Sequence, residues 1–504
     1  MSRSTSTPSH SRRPLRALAL VAAIGLILAA CGSPPTSGDK DAGRDTGGDK
    51  SDSLPTCPLD ALAKATGKVK VDMWYGGLGG VTQETMEDMA KKFNASQDKI
   101  EVRANNQGRS YQEVLRKYEG ASSKPSQLPQ VVYLEDTALG EMVDKGQVLP
   151  AESCMKADDY DTTQILPAAR SAFSVDGTLY PGYMNVSTPI LYYNKSIFVK
   201  AGLDPDNPPG TLEEVKAAAE KIKAAGLADK PLSFKVDRWF FETWLAGIGQ
   251  DVVNNDNGRT KAPTEATFDT PEGVNLLKTL QEMKSEGLLN AFAATEGSID
   301  HYLALLPPKG GNPQSAMLVE TSTATTTMAA VVAGQITPAE AGVDFDASVV
   351  DKAALVPASA PYPGIEAPGK VFASGGAFYI LNTSSDAQQA ASWEFLKFML
   401  KPENAKEWHV KGGYLPVVKS VLEEPDVQKF WIDDLAGVMA KPAVDQLKAA
   451  DPDQSGPLIG PYVDFANALQ TAMENVLLDS GDPAKELKTA EAAVNKSLDD
   501  YNGG

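Results

Sequence analysis

The chain has 504 residues, 42% of them hydrophobic and 22% charged, a globular composition long enough for more than one packed domain. Disorder throughout is excluded. The 66 acidic residues outnumber 47 basic ones and give a formal charge of -19, which excludes a nucleic-acid binder that works by neutralising phosphates with a basic face.

Taken in chain order, the first thirty residues differ from the rest. Arg3, Arg12, Arg13 and Arg16 come without an acidic residue and precede the apolar run Ala17 to Leu28. The run has the length of a signal-peptide core and falls short of the ~20 residues of a membrane-spanning helix, so residues 1–30 read as an export signal. It ends in Leu28-Ala29-Ala30-Cys31-Gly32, which resembles a bacterial lipobox and predicts lipidation of Cys31 as the mature N-terminus, with a membrane anchor through that lipid. The Ser11-Arg12-Arg13 start also resembles a twin-arginine signal, which leaves the export route open between Sec and twin-arginine. Removing the signal removes four arginines and no acid, so the mature chain is more acidic still. With Cys31 assigned to lipid, Cys57 and Cys154 remain as a pair in an oxidising compartment, and a Cys57–Cys154 disulfide is expected.

Residues 31–56 are mostly Gly, Ser, Thr, Pro, Asp and Lys, with one large apolar residue, Leu54. Such a stretch cannot bury a core and reads as a flexible tether. The body then opens with a strand over Lys68–Tyr75, a glycine turn at Gly76–Gly80 and a helix carrying Met86, Met89, Ala90 and Phe93 on one face. Further strands are predicted at Lys99–Arg103 and Gln130–Leu134, with a helix from Tyr111 to Tyr118 between them, which is the alternation of an α/β fold on a largely parallel sheet. Thr211-Leu212-Glu213-Glu214 is a capping box, and Thr270-Pro271 starts another helix. A buried strand, Ala377–Leu381, precedes a helix from about Asp386 to Leu400, and the tail is helical.

The chemistry of an enzyme is thinly supplied. His10 leaves with the signal, and His301 and His409 stand alone, without a second histidine at ligand spacing. Neither a His-Glu-x-x-His nor a Gly-x-Ser-x-Gly motif is present. Gly364 to Lys370 has P-loop spacing but is followed by Val371 where magnesium binding needs Ser or Thr, so it reads as a turn. Gly77 and Gly79 occupy two positions of a dinucleotide loop while Thr82 stands at the third; the loop reads as a tight turn that can wall a polar ligand. No catalytic residue, metal site or cofactor is assigned. Arg238-Trp239-Phe240-Phe241-Glu242-Thr243-Trp244 puts four aromatics in seven residues, as sugar-stacking faces or as core.

Asn185 to Asn194 running into Lys195-Ser196-Ile197-Phe198-Val199-Lys200-Ala201-Gly202-Leu203-Asp204-Pro205, and Lys401-Pro402-Glu403-Asn404-Ala405 with Gly413-Tyr414-Leu415-Pro416, closely resemble the glycerol-3-phosphate-binding proteins of bacterial ABC importers. These belong to the extracellular solute-binding family that also holds the maltose-binding proteins. The resemblance implies a type II fold of two α/β lobes joined by hinge crossovers, with residues 57–184 and 357–401 in lobe 1 and 185–356 and 402–504 in lobe 2. It implies a ligand in the cleft, held by Tyr111, Glu135, Ser187, Ser322, Gly376 and Tyr414, with Glu135 gripping glycerol hydroxyls. It also implies a monomer at the extracellular face of the cell membrane that serves ABC permease subunits, performs no chemistry and needs no nucleic acid. The family's phosphate-pairing arginine falls on Leu458 here, which leaves a glycerophosphate compound and a sugar or oligosaccharide both open as ligand; a secreted hydrolase is the remote alternative.

Overall fold

The structure, a computed structural model, describes residues 54–295, 298–335 and 347–503. The export signal, Cys31 and the tether up to residue 53 lie outside the described residues. Thirteen strands occur in the described part: β1 Val69–Tyr75, β2 Ile100–Asn106, β3 Val131–Glu135, β4 Val148–Leu149, β5 Ser174–Val175, β6 Thr178–Leu179, β7 Tyr183–Ser187, β8 Pro189–Asn194, β9 Leu232–Val236, β10 Leu289–Ala293, β11 Met317–Thr321, β12 Pro357–Pro361 and β13 Ser374–Leu381. Apart from the small β5–β6 hairpin they form two sheets.

In the first sheet the order is β2-β1-β3-β13-β4, and β7 also pairs with β13. β1 runs parallel to β2 and β3, while β13 runs antiparallel to β3, β4 and β7. β1 buries Val69, Val71, Met73 and Tyr75 and leaves the residues between them more exposed, the period-two pattern of a half-covered strand. The central strands β3 and β13 read as continuous apolar runs because both of their faces are covered. Between β1 and the helix Gly80–Ser96 the chain turns through Gly77 at φ +71°, a conformation open to glycine and costly for other residues.

The second sheet has the order β10-β9-β11-β8-β12, with β9 parallel to β10 and β11 and β8 antiparallel to β11 and β12. The capping box expected at Thr211 is formed: Thr211 Oγ1 accepts from Glu214 N–H at 3.2 Å, and the Glu214 carboxylate accepts from Thr211 N–H at 3.2 Å. Two cores accompany the sheets. One gathers Val71, Met73, Tyr133, Phe378 and Trp393, the other Phe234, Trp244, Leu277, Phe465 and Met473.

The chain passes from the first sheet to the second at Thr188, between β7 and β8, a little beyond the expected lobe boundary, because residues 185–187 pair with β13 in the first sheet. The return differs from expectation. Pro357–Pro361 is not in the first lobe: Ser359 pairs with Tyr192 in the second sheet, so the passage back falls between β12 and β13. Prolines at both ends suit an edge strand, and β12 is one. The third boundary differs too, because the helix Pro402–Gly412 packs on the helices Gly80–Ser96 and Asp386–Leu400 beside the first sheet. Asn404, Ala405 and Trp408 are buried there, and Lys92 Nζ donates to Asn404 Oδ1 at 2.8 Å. The helix Leu435–Ala449 packs on β12 and β8.

Cys57 and Cys154 form the expected disulfide, at a sequence separation of 97. It ties the segment ahead of the helix Leu59–Lys64 to the buried helix Ala151–Ala157. A cross-link closing a loop of this size restricts the unfolded chain, with an effect of about 2–5 kcal/mol. Cys57→Ser/Cys154→Ser should therefore unfold at lower denaturant than the wild type by that margin, and equal midpoints would show that the bridge contributes nothing.

Candidate functional site

A cavity of about 630 Å³ lies between the two sheets. Its walls come from the carboxyl ends of strands and the first turns of helices, where an open α/β sheet leaves a crevice. β3 ends in Glu135, β7 in Ser187 and β11 in Glu320-Thr321; β9 supplies Lys235 and leads into Asp237, Arg238 and Trp239. The helix Tyr111–Ser122 begins at the wall, with Ser110 Oγ accepting from Glu113 N–H at 3.1 Å. The helix Arg238–Ala246 begins opposite, with Asp237 Oδ1 accepting from Trp239 N–H at 3.1 Å. Helix starts present unpaired N–H groups and favour oxygen-rich ligands.

Three phenols meet on the first-lobe side. Tyr111 OH lies 3.0 Å from Tyr133 OH and 3.1 Å from Tyr414 OH, and Tyr133 OH accepts from Asn185 Nδ2 at 2.9 Å. Burial pushes the Tyr111 and Tyr133 hydroxyls well above the ordinary phenol range, so they stay neutral donors. On the second-lobe side Arg238 Nη1 donates to Tyr462 OH at 2.7 Å and to Glu242 Oε1 at 3.1 Å, and the guanidinium lies over the Tyr462 ring. Arg238 Nη2 reaches across to 3.8 Å from Glu135 Oε2. Lys235 Nζ lies 3.4 Å from Asp237 and 3.7 Å from Glu320, and Glu320 Oε2 is 2.7 Å from His301 Nε2.

These carboxylates are unequal. Burial raises Glu320, but Lys235 and His301 outweigh it and hold the group down at about 2. Burial pushes Glu242 up to about 7 against the pull of Arg238. Burial likewise raises Glu135, opposed by Arg238. Asp136 is driven up to about 7 by burial and by the neighbouring Glu135 charge, against hydrogen bonds from Gly375 N–H and Ser374 Oγ and the field of Arg259.

Four of the six residues named from the resemblance, Tyr111, Glu135, Ser187 and Tyr414, line the cavity. Two do not. Ser322 is fully buried, and its Oγ accepts from Thr188 N–H at 3.3 Å; it braces the crossover while Thr321 and Thr323 form the wall. Gly376 pairs with Glu135 inside the sheet, and a Cβ there would stand 2.2 Å from the Tyr133 ring, so glycine makes room for that tyrosine while Ser374 and Gly375 face the cavity. Leu458 is buried away from the wall with its N–H on Asn257 O. Nearby Arg259 donates to the carbonyls of Gly456, Ser174 and Ala172.

Sequence reasoning missed Lys235, Asp237, Arg238, Glu320 and Tyr462. The signal was present in Lys235-Val236-Asp237-Arg238, charges at the junction of a strand and a helix, but the segment was read for its aromatics. Of those, Phe240, Phe241 and Trp244 are core, and only Trp239 reaches the cavity. His409 is a packed core residue: Trp431 Nε1 donates to its Nε2 at 2.9 Å, and burial pushes it down to about 4.

Because Asp136 titrates higher in the folded chain than in the unfolded one, the folded state binds more protons between about pH 4 and about pH 7 and loses stability as the pH rises through that window. Asp136→Asn should gain about 1–3 kcal/mol on the wild type between pH 5 and pH 8. Chemical denaturation at the two pH values measures the gap, and an unchanged gap would show that Asp136 ionises as in solvent.

The family described as bacterial extracellular solute-binding protein matches residues 88–433. Among curated relatives, the sn-glycerol-3-phosphate-binding periplasmic protein UgpB of Shigella dysenteriae is 25% identical over 377 residues, covering 74% of this chain and 80% of that protein. The protein of the same name from Brucella abortus is 26% identical over 371 residues, covering 71% and 77%. Among solved structures, UgpB from Mycobacterium tuberculosis in complex with glycerophosphocholine has a TM-score of 0.68 at 18% identity, covering 87% of this chain and 100% of that one. The GacH receptor of Streptomyces glaucescens, determined unliganded and with acarbose, has a TM-score of 0.67 at 23% identity, covering 86% and 99%. With two α/β lobes, a cleft at the strand ends and a family match over most of its length, this chain belongs to the bacterial extracellular solute-binding proteins.

Proposed function

We propose that this protein is the substrate-binding component of an ABC importer, that it captures glycerol-3-phosphate or a glycerophosphodiester in the cleft between its sheets, and that it delivers the ligand to the permease without chemical change. The observation that carries this reading is the convergence of Tyr111, Glu135, Ser187 and Tyr414 on one cavity, from segments far apart in sequence. Neutral phenols and hydroxyls donate to phosphate or sugar oxygens, and Glu135 accepts from hydroxyls. The curated relatives named for sn-glycerol-3-phosphate binding support the glycerophosphate ligand.

A second reading, a sugar or oligosaccharide, is favoured by one feature. The turn at Gly456–Gly460 offers Leu458 rather than a cation, and Lys235 and Arg238 of the cleft stand beside carboxylates. A dianionic phosphate gains less in such a site than an uncharged polyol does. The membrane attachment belongs to the same proposal: export by the signal, lipid on Cys31, and residues 31–56 as a tether that lets a monomeric body reach the permease from the outer face of the cell membrane.

All six tryptophans lie after residue 57, so intrinsic fluorescence of residues 57–504 reports ligand. Titration with glycerol-3-phosphate, glycerophosphocholine, maltose and trehalose should give micromolar saturation by a glycerophosphate compound. Saturation by the saccharides alone would select the second reading, and turnover of nitrophenyl esters or glycosides would overturn the transport role. Labelling of the full-length chain with a radioactive fatty acid in a bacterial host should be lost in Cys31→Ser, whereas retained label would refute the anchor.

A further inference from the structure

We infer that Arg238 is a ligand-contacting specificity residue which, together with Glu135 across the cleft, brackets two adjacent hydroxyls of the bound molecule. The inference rests on the reading that this cleft holds the transported ligand, and it names the part of the ligand that the two lobes read in common: a vicinal diol, shared by a glycerol head and by sugars.

Two groups that face each other across the cavity make the case. Arg238 Nη1 is engaged by Glu242 and Tyr462, and this fixes the guanidinium plane, yet Nη2 makes no hydrogen bond among the described residues. Glu135 Oε2 accepts from Thr137 Oγ1 at 3.0 Å, which orients the carboxylate, and Oε1 has no hydrogen bond among the described residues. The separation of 3.8 Å between Arg238 Nη2 and Glu135 Oε2 is too long for a hydrogen bond. Trp239, next in the chain to Arg238, also lines this cavity. A donor and an acceptor, each held by its neighbours and each unanswered, suit a ligand fragment that donates one hydroxyl hydrogen and accepts on the adjacent oxygen.

The charge balance agrees. Arg238 is already matched by Glu242 and faces Glu135, so the pair offers a polarised but compensated site; it reads hydroxyls without demanding a charge from the ligand. Arg238 stands on the second lobe and Glu135 on the first, so a diol that bonds to both also joins the lobes.

The test compares wild type, Arg238→Gln, and the double variant Arg238→Gln/Glu242→Gln, which avoids leaving Glu242 buried without its partner. Each is titrated with glycerol-3-phosphate, with 3-hydroxypropyl phosphate, which lacks the middle hydroxyl, with glycerophosphocholine, and with maltose and trehalose. The expected result is that wild type prefers glycerol-3-phosphate to the diol-free phosphate, or binds a saccharide, and that both variants lose about tenfold or more in affinity for that ligand. In the phosphate case the preference over the diol-free analogue should also fall toward one. The phosphate and saccharide arms identify the source of the diol. A double variant that melts with the wild type and keeps its affinity would overturn the inference while leaving the transport role standing; a wild type that binds none of the probes would overturn both.

Discussion

Thr188 is the only residue between β7 of the first sheet and β8 of the second, and the cleft depends on how this passage is held. Pro189 after it disfavours helical backbone at Thr188 and keeps the chain extended. The Thr188 N–H donates to Ser322 Oγ at 3.3 Å, its Oγ1 accepts from Gln446 Nε2 at 2.6 Å, and the same amide donates to Pro189 O at 2.7 Å. A buried crossing has no water to satisfy its polar groups, so side chains of two other segments must do it. Ser322 follows β11 and Gln446 lies on the helix Leu435–Ala449, so the crossing is clamped from both. The ends of β3, β7, β9 and β11 then point into one space, and that space is the site.

The second constraint is electrostatic. A chain with a formal charge of -19 places Lys235 and Arg238 at the most acidic point of its cleft, between Glu135, Asp237, Glu242 and Glu320. At Glu320 the Lys235 cation and His301 outweigh burial and hold the group at about 2, whereas burial outweighs Arg238 at Glu242 and the hydrogen bonds at Asp136, and both rise to about 7. Lys235 and His301 together overcome the desolvation of Glu320; at Asp136 the hydrogen bonds from Ser374 and Gly375 and the field of Arg259 do not. The result is a wall of fixed donors and acceptors with little net charge to offer, the kind of surface that reads hydroxyl groups by geometry.

Local pattern carried far in this chain. Alternation of polar and apolar residues marked β1, the capping box marked the helix at Thr211, and counting cysteines in an exported chain paired Cys57 with Cys154. Four cavity residues were legible because family resemblance transfers positions at element ends: Glu135 and Ser187 end strands, Tyr111 opens a helix and Tyr414 follows one. Ser322 and Gly376 illustrate the limit of that transfer: both sit where expected along the chain, yet one turns behind its strand to brace Thr188 and the other makes space for Tyr133. A shift of one residue in a strand reverses the face, and Gly375 and Thr321, their neighbours, face the cavity instead.

What the sequence determined by itself was the α/β class, the export signal and tether as expectations, and the disulfide, because each follows from local pattern or from composition; the lobe boundary came from the family resemblance and fell short of Thr188. The tertiary structure alone decided that β12 closes the edge of the second sheet, that Pro402–Gly412 stays with the first, and that Arg238 faces Glu135 over a distance of 3.8 Å. Those outcomes depend on which buried surfaces meet and on charges more than a hundred residues apart, and no local periodicity encodes a pairing across a cleft.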